Sequence, residues 1–301
     1  MSKHYKQNKY LSPYTIAMLI VLIVYVASLL YMYIWGFFTS LKTVRQFKTD
    51  MLWLPEGAPW EWEWNNYVVA YNNFESQDII GPDGIPYRIG FVGMFVNTVV
   101  YSLIPPFITL AFTWGMAYIC SQFKYMWSSR FIVSLNLILM MIPVVGTGPS
   151  ALQIWKALNL YDTWGWVFIN SIGFVGSNFI IFYAYLRTIA TEMREAALID
   201  GAGNWTIMLR IIFPLTINMF SILFVMAFIG RWNDYMTMVV WLPSKPSLAY
   251  GVYRFSTNVS SGLTWPTIQV SACMILMLPV LALFIILKDK ILGGITISTL
   301  K

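Results

Sequence analysis

The chain is 301 residues long, 58% hydrophobic and 11% charged, where an ordinary soluble domain carries roughly 25% charged residues; its mean hydropathy is +0.64. A soluble core of this size cannot hide so many apolar side chains, so the surrounding solvent must be lipid. The 19 basic and 13 acidic residues form no single basic face, which excludes a nucleic-acid partner, and the one histidine, His4, has no polar cluster from which a metal site or catalytic triad could be built.

Six stretches contain no Asp, Glu, Lys or Arg and are long enough to cross a bilayer: 16–35, 91–118, 131–153, 164–186, 211–230 and 268–287. A helical span needs about 20 apolar residues, and one central charge would cost about 2.5–3.5 kcal/mol on the insertion scale. The first stretch is too long for a signal-peptide core and no small-residue cleavage site follows it, so it is expected to remain as a helix. Cys120 and Cys273 lie in apolar runs and support no disulfide framework. The expected fold is an all-α polytopic membrane protein with six transmembrane helices. It comprises a cytoplasmic N-terminus (1–15), helix 1 (16–38), an extracytoplasmic segment (39–90) and a core (91–301). The core carries helices 2–6, a cytoplasmic loop (187–213) and a cytoplasmic tail (288–301). With the N-terminus inside, the cytoplasmic side holds eleven bases and four acids, and the outside eight bases and nine acids. That asymmetry predicts an N-in, C-in orientation.

The outer segment carries Trp53, Trp60, Trp62 and Trp64, the last three alternating with Glu61 and Glu63. A period of two predicts a short strand with one aromatic face, suited to sugar stacking, protein docking or an interfacial belt. The run 81–86 is turn chemistry.

Polar residues inside membrane spans face protein or a cavity. Helical spacing aligns Thr98, Ser102, Thr109 and Thr113 in span two, and Asn136, Met140, Pro143 and Thr147 in span three. It likewise aligns Asn170, Ser171, Ser177 and Asn178 in span four, and Asn218, Ser221, Val225 and Trp232 in span five. These residues line a pathway or hydrogen-bond between helices; Asn178 and Asn218 are the leading lining candidates, and Trp232 with Asn233 could cap the outer end. Pro143, Gly146, Gly148 and Pro149 interrupt span three, where irregular backbone is tolerated only beside protein or water.

The inner loop 187–213 is far longer than the 2–8 residues a helix connection needs. It reads as two short helices. Thr191 caps the first, with Glu192 in its opening turn, and Met193, Ala196, Ala197 and Asp200 share one face. Gly201 ends that helix in a left-handed conformation. Asn204 caps the second helix, and Pro214 sits in the first turn of span five. Two adjacent alanines would let a partner's backbone approach; a surface helix on lipid headgroups has the same pattern.

Glu195-Ala196-Ala197-Leu198-Ile199-Asp200-Gly201-Ala202, followed by Pro214, resembles the EAA motif of ABC importer permeases. Ile142-Pro143 with Pro149, the run 158–163, and Trp232-Asn233-Asp234-Tyr235 are similar to the carbohydrate (maltose-permease-like, second permease) branch of the binding-protein-dependent transport inner-membrane components; Asn66-Tyr67 and Asn97 echo its N-terminal half. Ala190 departs from the Ile-Pro pair usual before the motif, and the tail 293–301 lacks the usual Gly-Ala-x-Lys-Gly ending.

The resemblance implies a multi-pass protein of the bacterial cell (plasma or inner) membrane, not an enzyme. It would form a sugar or oligosaccharide pathway with a second, different permease. Two ATP-binding subunits would hold ATP and magnesium, and an extracytoplasmic sugar-binding protein, a lipoprotein, would deliver substrate; this chain would bind no cofactor. Glu195, Ala196, Ala197, Asp200, Gly201 and Ala202 would couple to the ATPase. Asn136, Asn178, Asn218, Trp232 and Asn233 would line the route through spans three to five. Tyr250, Tyr253 and Arg254, in a short, turn-rich outer loop (242–262), would touch the binding protein. Permeases for amino acids or polyamines are the alternative within the family; a secondary transporter would need an acidic or histidine relay that no span carries.

Overall fold

The computed structural model describes residues 12–80, 85–143, 146–189, 191–257 and 264–297. The chain divides into two compact units, residues 1–71 with 255–275 and residues 72–254 with 276–301. The expected turn at 81–84, Ala190, the far end of the outer loop (258–262) and the tail from 298 lie outside the described residues, as does most of the N-terminal stretch.

In the first unit, α1 (Pro13–Ser40) opens with proline in its first turn, where no amide partner is lost. Every described residue of α1 through Ile34 is exposed; only Gly36, Thr39 and Ser40 at its C-terminal end are buried. Gly36 lies against Val270 and Met274 of α14 (Pro266–Ile297). Beyond α1, Thr43 and Gln46 form a capping box that starts α2 (Val44–Thr49). Asn66, at the start of α3 (Asn65–Asn72), donates to the carbonyls of Ser40 and Lys42 at 2.9 Å each. Lys42 is buried with its ammonium on the Asp50 carbonyl at 2.9 Å. Burial pushes its pKa down, against the pull of the Asp50 charge.

The tryptophan run is not the expected strand. Residues 60–64 make a turn before α3, because Trp62 Nε1 and Trp64 Nε1 donate back to the carbonyls of Gly57 and Pro59. Their rings turn onto the end of α1, Trp62 against Phe38 and Trp64 against Phe37. The two described strand pieces, β1 (Ile79–Ile80) and β2 (Pro86–Tyr87), pair antiparallel in the second unit.

The second unit is built around α4 (Phe91–Gln122), which packs along α8 (Ser177–Leu186) and α11 (Phe213–Trp232). Leu110, Trp114, Phe179, Phe182, Phe220 and Leu223 form its centre. Lipid tails are as apolar as these side chains, so such contacts hold by dense packing and by the polar bonds between them. One such bond runs from Trp114 to Thr216.

Four described helices are long and apolar enough to cross a membrane: Pro13–Ser40, Phe91–Gln122, Asn204–Trp232 and Pro266–Ile286. The stretches expected as spans three and four are each divided. The third gives α5 (Trp127–Met141) and α6 (Gly148–Ala157), parted around Pro143 and Gly146, whose φ is +78°. The fourth gives α7 (Trp164–Ser171) and α8, parted by 172–176 with Gly176 at φ +141°. The four-residue stripe expected across span four, Asn170, Ser171, Ser177 and Asn178, is therefore divided between two helices.

The second loop helix is also not separate. Asn204 is already helical after an N-cap at Gly203, and α10 (Asn204–Thr206) runs through a π-helical turn (Ile207–Ile212) into α11. Pro214 has no N–H to give the preceding turn, and the widened turn accommodates its ring.

The loop expected at 242–262 likewise contains helix. Beyond α12 (Met236–Val240) it holds a helix, α13 (Leu248–Thr257), begun by Ser247 Oγ accepting from Tyr250 N at 3.2 Å. α4 holds this start in place: Thr98 Oγ1 accepts from Leu248 N at 2.8 Å, and Asn97 Nδ2 donates to the Pro246 carbonyl at 3.1 Å.

Candidate functional site

After α8 the chain forms α9 (Thr191–Ile199). Thr191 is its first helical residue rather than its cap. Gly201 at φ +80° ends it as expected: Gly201 N donates to Leu198 O at 3.1 Å and Ala202 N to Ala197 O at 2.9 Å. Those two bonds make a Schellman motif. The four residues expected on one face are split. Ala197 is buried in the bundle's own core with Ala202 packed near it, while Met193, Ala196 and Asp200 are exposed, as is Glu195. Large apolar side chains are exposed here: Ile199 is 86% and Trp205 73% accessible, with Leu198 and Leu209 beside them in sequence. An apolar rim with two acids is thus exposed at and just after a short helix that Ala197 anchors to the bundle.

A second site lies where α4, α8 and α11 pack, toward the C-terminal end of α11. Its cavity of about 350 Å³ is lined by Thr109 and Leu110 of α4, Asn178 of α8, Ala227, Gly230 and Arg231 of α11, and Asp234. Tyr101 of α4, fully buried, accepts from the Arg231 guanidinium and donates to Asp234 Oδ2 at 2.8 Å. Asp234 also accepts from Thr237, at 2.5 Å from the hydroxyl and 3.0 Å from the amide. Arg231 lies over the Tyr101 ring, 5.0 Å from its centre. Reading the spans as charge-free passed over Arg231 and Asp234, which stand just beyond the fifth apolar stretch. The available signal was their place beside Trp232-Asn233.

Of the expected lining residues, the structure brings only Asn178 to this cavity. Asn136 is buried and supports the break between α7 and α8: its Nδ2 donates to Phe174 O at 3.0 Å and its Oδ1 accepts from Gly176 N at 3.4 Å. Thr113 adds a bond to Gly173 O at 3.2 Å. These bonds satisfy irregular backbone at membrane depth. Asn218 is half-buried on α11 and does not line the cavity. Trp232 is buried against Phe228 and Phe95, with its N–H on the Leu276 carbonyl at 3.0 Å; Asn233 bonds back to Ile229 O at 2.9 Å. Neither Trp232 nor Asn233 lines the cavity.

On α13, Tyr253 stacks on Tyr235 at 4.7 Å, and Tyr250 lies 6.4 Å from Tyr253. Arg254 donates to the Glu75 carbonyl at 2.8 Å. Burial pushes the Tyr250 hydroxyl pKa up. Below them Arg88 pairs with Asp78 at 2.6 Å and Glu75 at 3.2 Å, which holds the Asp78 carboxyl below its ordinary range.

The family model described as "Binding-protein-dependent transport system inner membrane component" matches residues 115–295. The chain is 25% identical to the galactooligosaccharides transport system permease protein GanQ of Bacillus subtilis, over 68% of this chain and 73% of that protein. It is 25% identical to the maltodextrin transport system permease protein MalD of Streptococcus pneumoniae, over 67% and 72%. It is 21% identical to the probable ABC transporter permease protein YurM of Bacillus subtilis, over 93% and 86%. Among solved structures, a chain of a bacterial ABC transporter involved in the import of the acidic polysaccharide alginate superposes with a TM-score of 0.72 at 19% identity, covering 94% of this chain and 99% of that one. That likeness establishes the fold.

Proposed function

Because the chain belongs to the binding-protein-dependent transport system inner membrane components, we propose that it is a permease subunit of an ATP-driven importer for a sugar or oligosaccharide. The observation that carries this reading is α9, an exposed apolar rim with Glu195 and Asp200, ended by a glycine in the left-handed conformation within the matched stretch. Such a helix suits a socket on a separate ATP-hydrolysing subunit. The sugar class rests on relatives named for galactooligosaccharides and maltodextrin. Counting each divided stretch as one span makes six, and the positive residues put both termini inside.

The chain itself makes and breaks no bond. A second, different permease completes the pathway, two ATP-binding subunits carrying ATP and magnesium supply the free energy, and an extracytoplasmic binding protein delivers substrate near Tyr250, Tyr253 and Arg254. Permeases for amino acids or polyamines remain the alternative that a substrate panel decides. The test is uptake of labelled maltodextrin and galactooligosaccharide into proteoliposomes holding the whole complex. Uptake that needs both ATP and binding protein is expected; uptake driven by an ion gradient without ATP overturns the reading.

A further inference from the structure

The charged cavity between α4, α8 and α11 carries groups that the docking of α9 does not use. A guanidinium and a carboxylate at the end of an apolar helix face water or protein rather than acyl chains. Its hydrogen-bonding inventory narrows the occupant. A carboxylate offers about four acceptor sites; Asp234 has given three of them to Tyr101 and Thr237. Arg231 has five donors and is fixed by Tyr101, not by a carboxylate; among the described residues the ion pairs within 4.0 Å are those of Arg88. Spare donors on Arg231 and Asn178 therefore stand beside a spare acceptor on Asp234 and the hydroxyl of Thr109.

A mixed set of donors and acceptors with no net charge matches hydroxyl groups, which donate and accept at once. An anion only accepts, and it would meet the Asp234 oxygen. Leu110, Ala227 and Gly230 give the apolar wall on which the C–H face of a ring can lie. A volume of about 350 Å³ is at the small end of ligand sites and fits one sugar residue at a time.

We propose that the cavity at Arg231, Asp234, Asn178 and Thr109 is a transit subsite for a single neutral sugar ring, with Arg231 and Asn178 donating to its hydroxyls and Asp234 accepting from one. The subsite rests on the importer reading above. Tyr101 and Thr237 are positioning residues that hold the charged pair in place.

The test uses the whole complex in proteoliposomes, with Cys120 and Cys273 replaced by alanine and Ala227→Cys as a probe for a small maleimide. Maltotriose, raffinose and trigalacturonate are each supplied with the binding protein, and sugar-stimulated ATP hydrolysis is recorded alongside. A neutral sugar that stimulates hydrolysis should slow labelling about tenfold when present at ten times its Kd, and Arg231→Gln should remove that protection. Labelling that stays unprotected while hydrolysis responds overturns the subsite but leaves the importer reading intact. A cysteine that cannot be labelled at all, because protein fills the cavity, also overturns it. Protection by trigalacturonate alone overturns the neutral class. If none of the three sugars stimulates hydrolysis, the saccharide reading falls and the subsite with it.

Discussion

The indole N–H of Trp114 on α4 donates to Thr216 Oγ1 on α11 at 2.9 Å, with both residues buried. The same hydroxyl donates onward to Phe213 O at 2.8 Å, so one threonine serves the indole and its own helix together. Thr216→Val should strand the indole donor. Interhelical hydrogen bonds in membranes are worth about 0.6 kcal/mol on average, and an unpaired buried donor costs about 1–3 kcal/mol. A loss of roughly 1 kcal/mol is expected in thermal unfolding of the detergent-solubilised protein. Trp114→Phe with Thr216→Val should cost less than the two singles added; strict additivity would show that the bond is not made.

Asn136 serves the irregular backbone of the divided fourth stretch rather than a substrate. Asn136→Leu should leave Phe174 O and Gly176 N without that partner, at about 1–3 kcal/mol for each group. Asn178→Ala, at the cavity wall, should barely move the melting temperature. Equal effects of the two on melting would contradict the division of roles.

At Gly201 a Cβ would meet nothing within 4 Å, so only the positive φ resists substitution. The left-handed conformation costs a residue with Cβ roughly 1–2 kcal/mol, with Asn penalised least. Co-purification with the ATP-binding subunit should fall in the order Gly, Asn, Ala, Val. A steric order, with Asn worse than Ala, would point to contacts and not to the helix end.

The exposed Arg88 bridge gives the outer hairpin an acid sensitivity. Since Asp78 has a lowered folded pKa, its contribution to stability is complete above the unfolded carboxylate value of about 3.9. That contribution disappears as pH falls through the folded value. Proteolysis near Tyr87 should accelerate in acid and in high salt, which screens exposed pairs, and Arg88→Gln should remove both dependences. An unchanged acid profile in Arg88→Gln would assign the effect elsewhere.

Hydropathy located the apolar stretches because bilayer thickness imposes a length that composition alone can report. The break in the third stretch was marked by Pro143, Gly146, Gly148 and Pro149, but nothing local marked the one at 172–176, since the groups that make it tolerable, Asn136 and Thr113, lie far away in sequence. Gly201 was legible because the left-handed helix end is a local requirement. The orientation of Ala197 was not, because two alanines are alike until a core claims one. The strand expected at 60–64 failed for a related reason: alternating Trp and Glu carry a period of two, but local indole-to-carbonyl bonds to Gly57 and Pro59 fold the run into a turn. Ser247 was hidden by its neighbouring prolines, which read as turn and in fact precede a helix start.

Helix α1 separates two kinds of information that a sequence can hold. From Pro13 to Ile34 no side chain is buried in this chain, so within it the order of those residues carries no packing instruction, only a length and an oiliness. Shuffling 16–33 should leave the rest of the molecule indifferent, whereas the four residues after Trp35 are read one by one. The opening helix acts as an address written in bulk chemistry, and the specific message begins at Gly36.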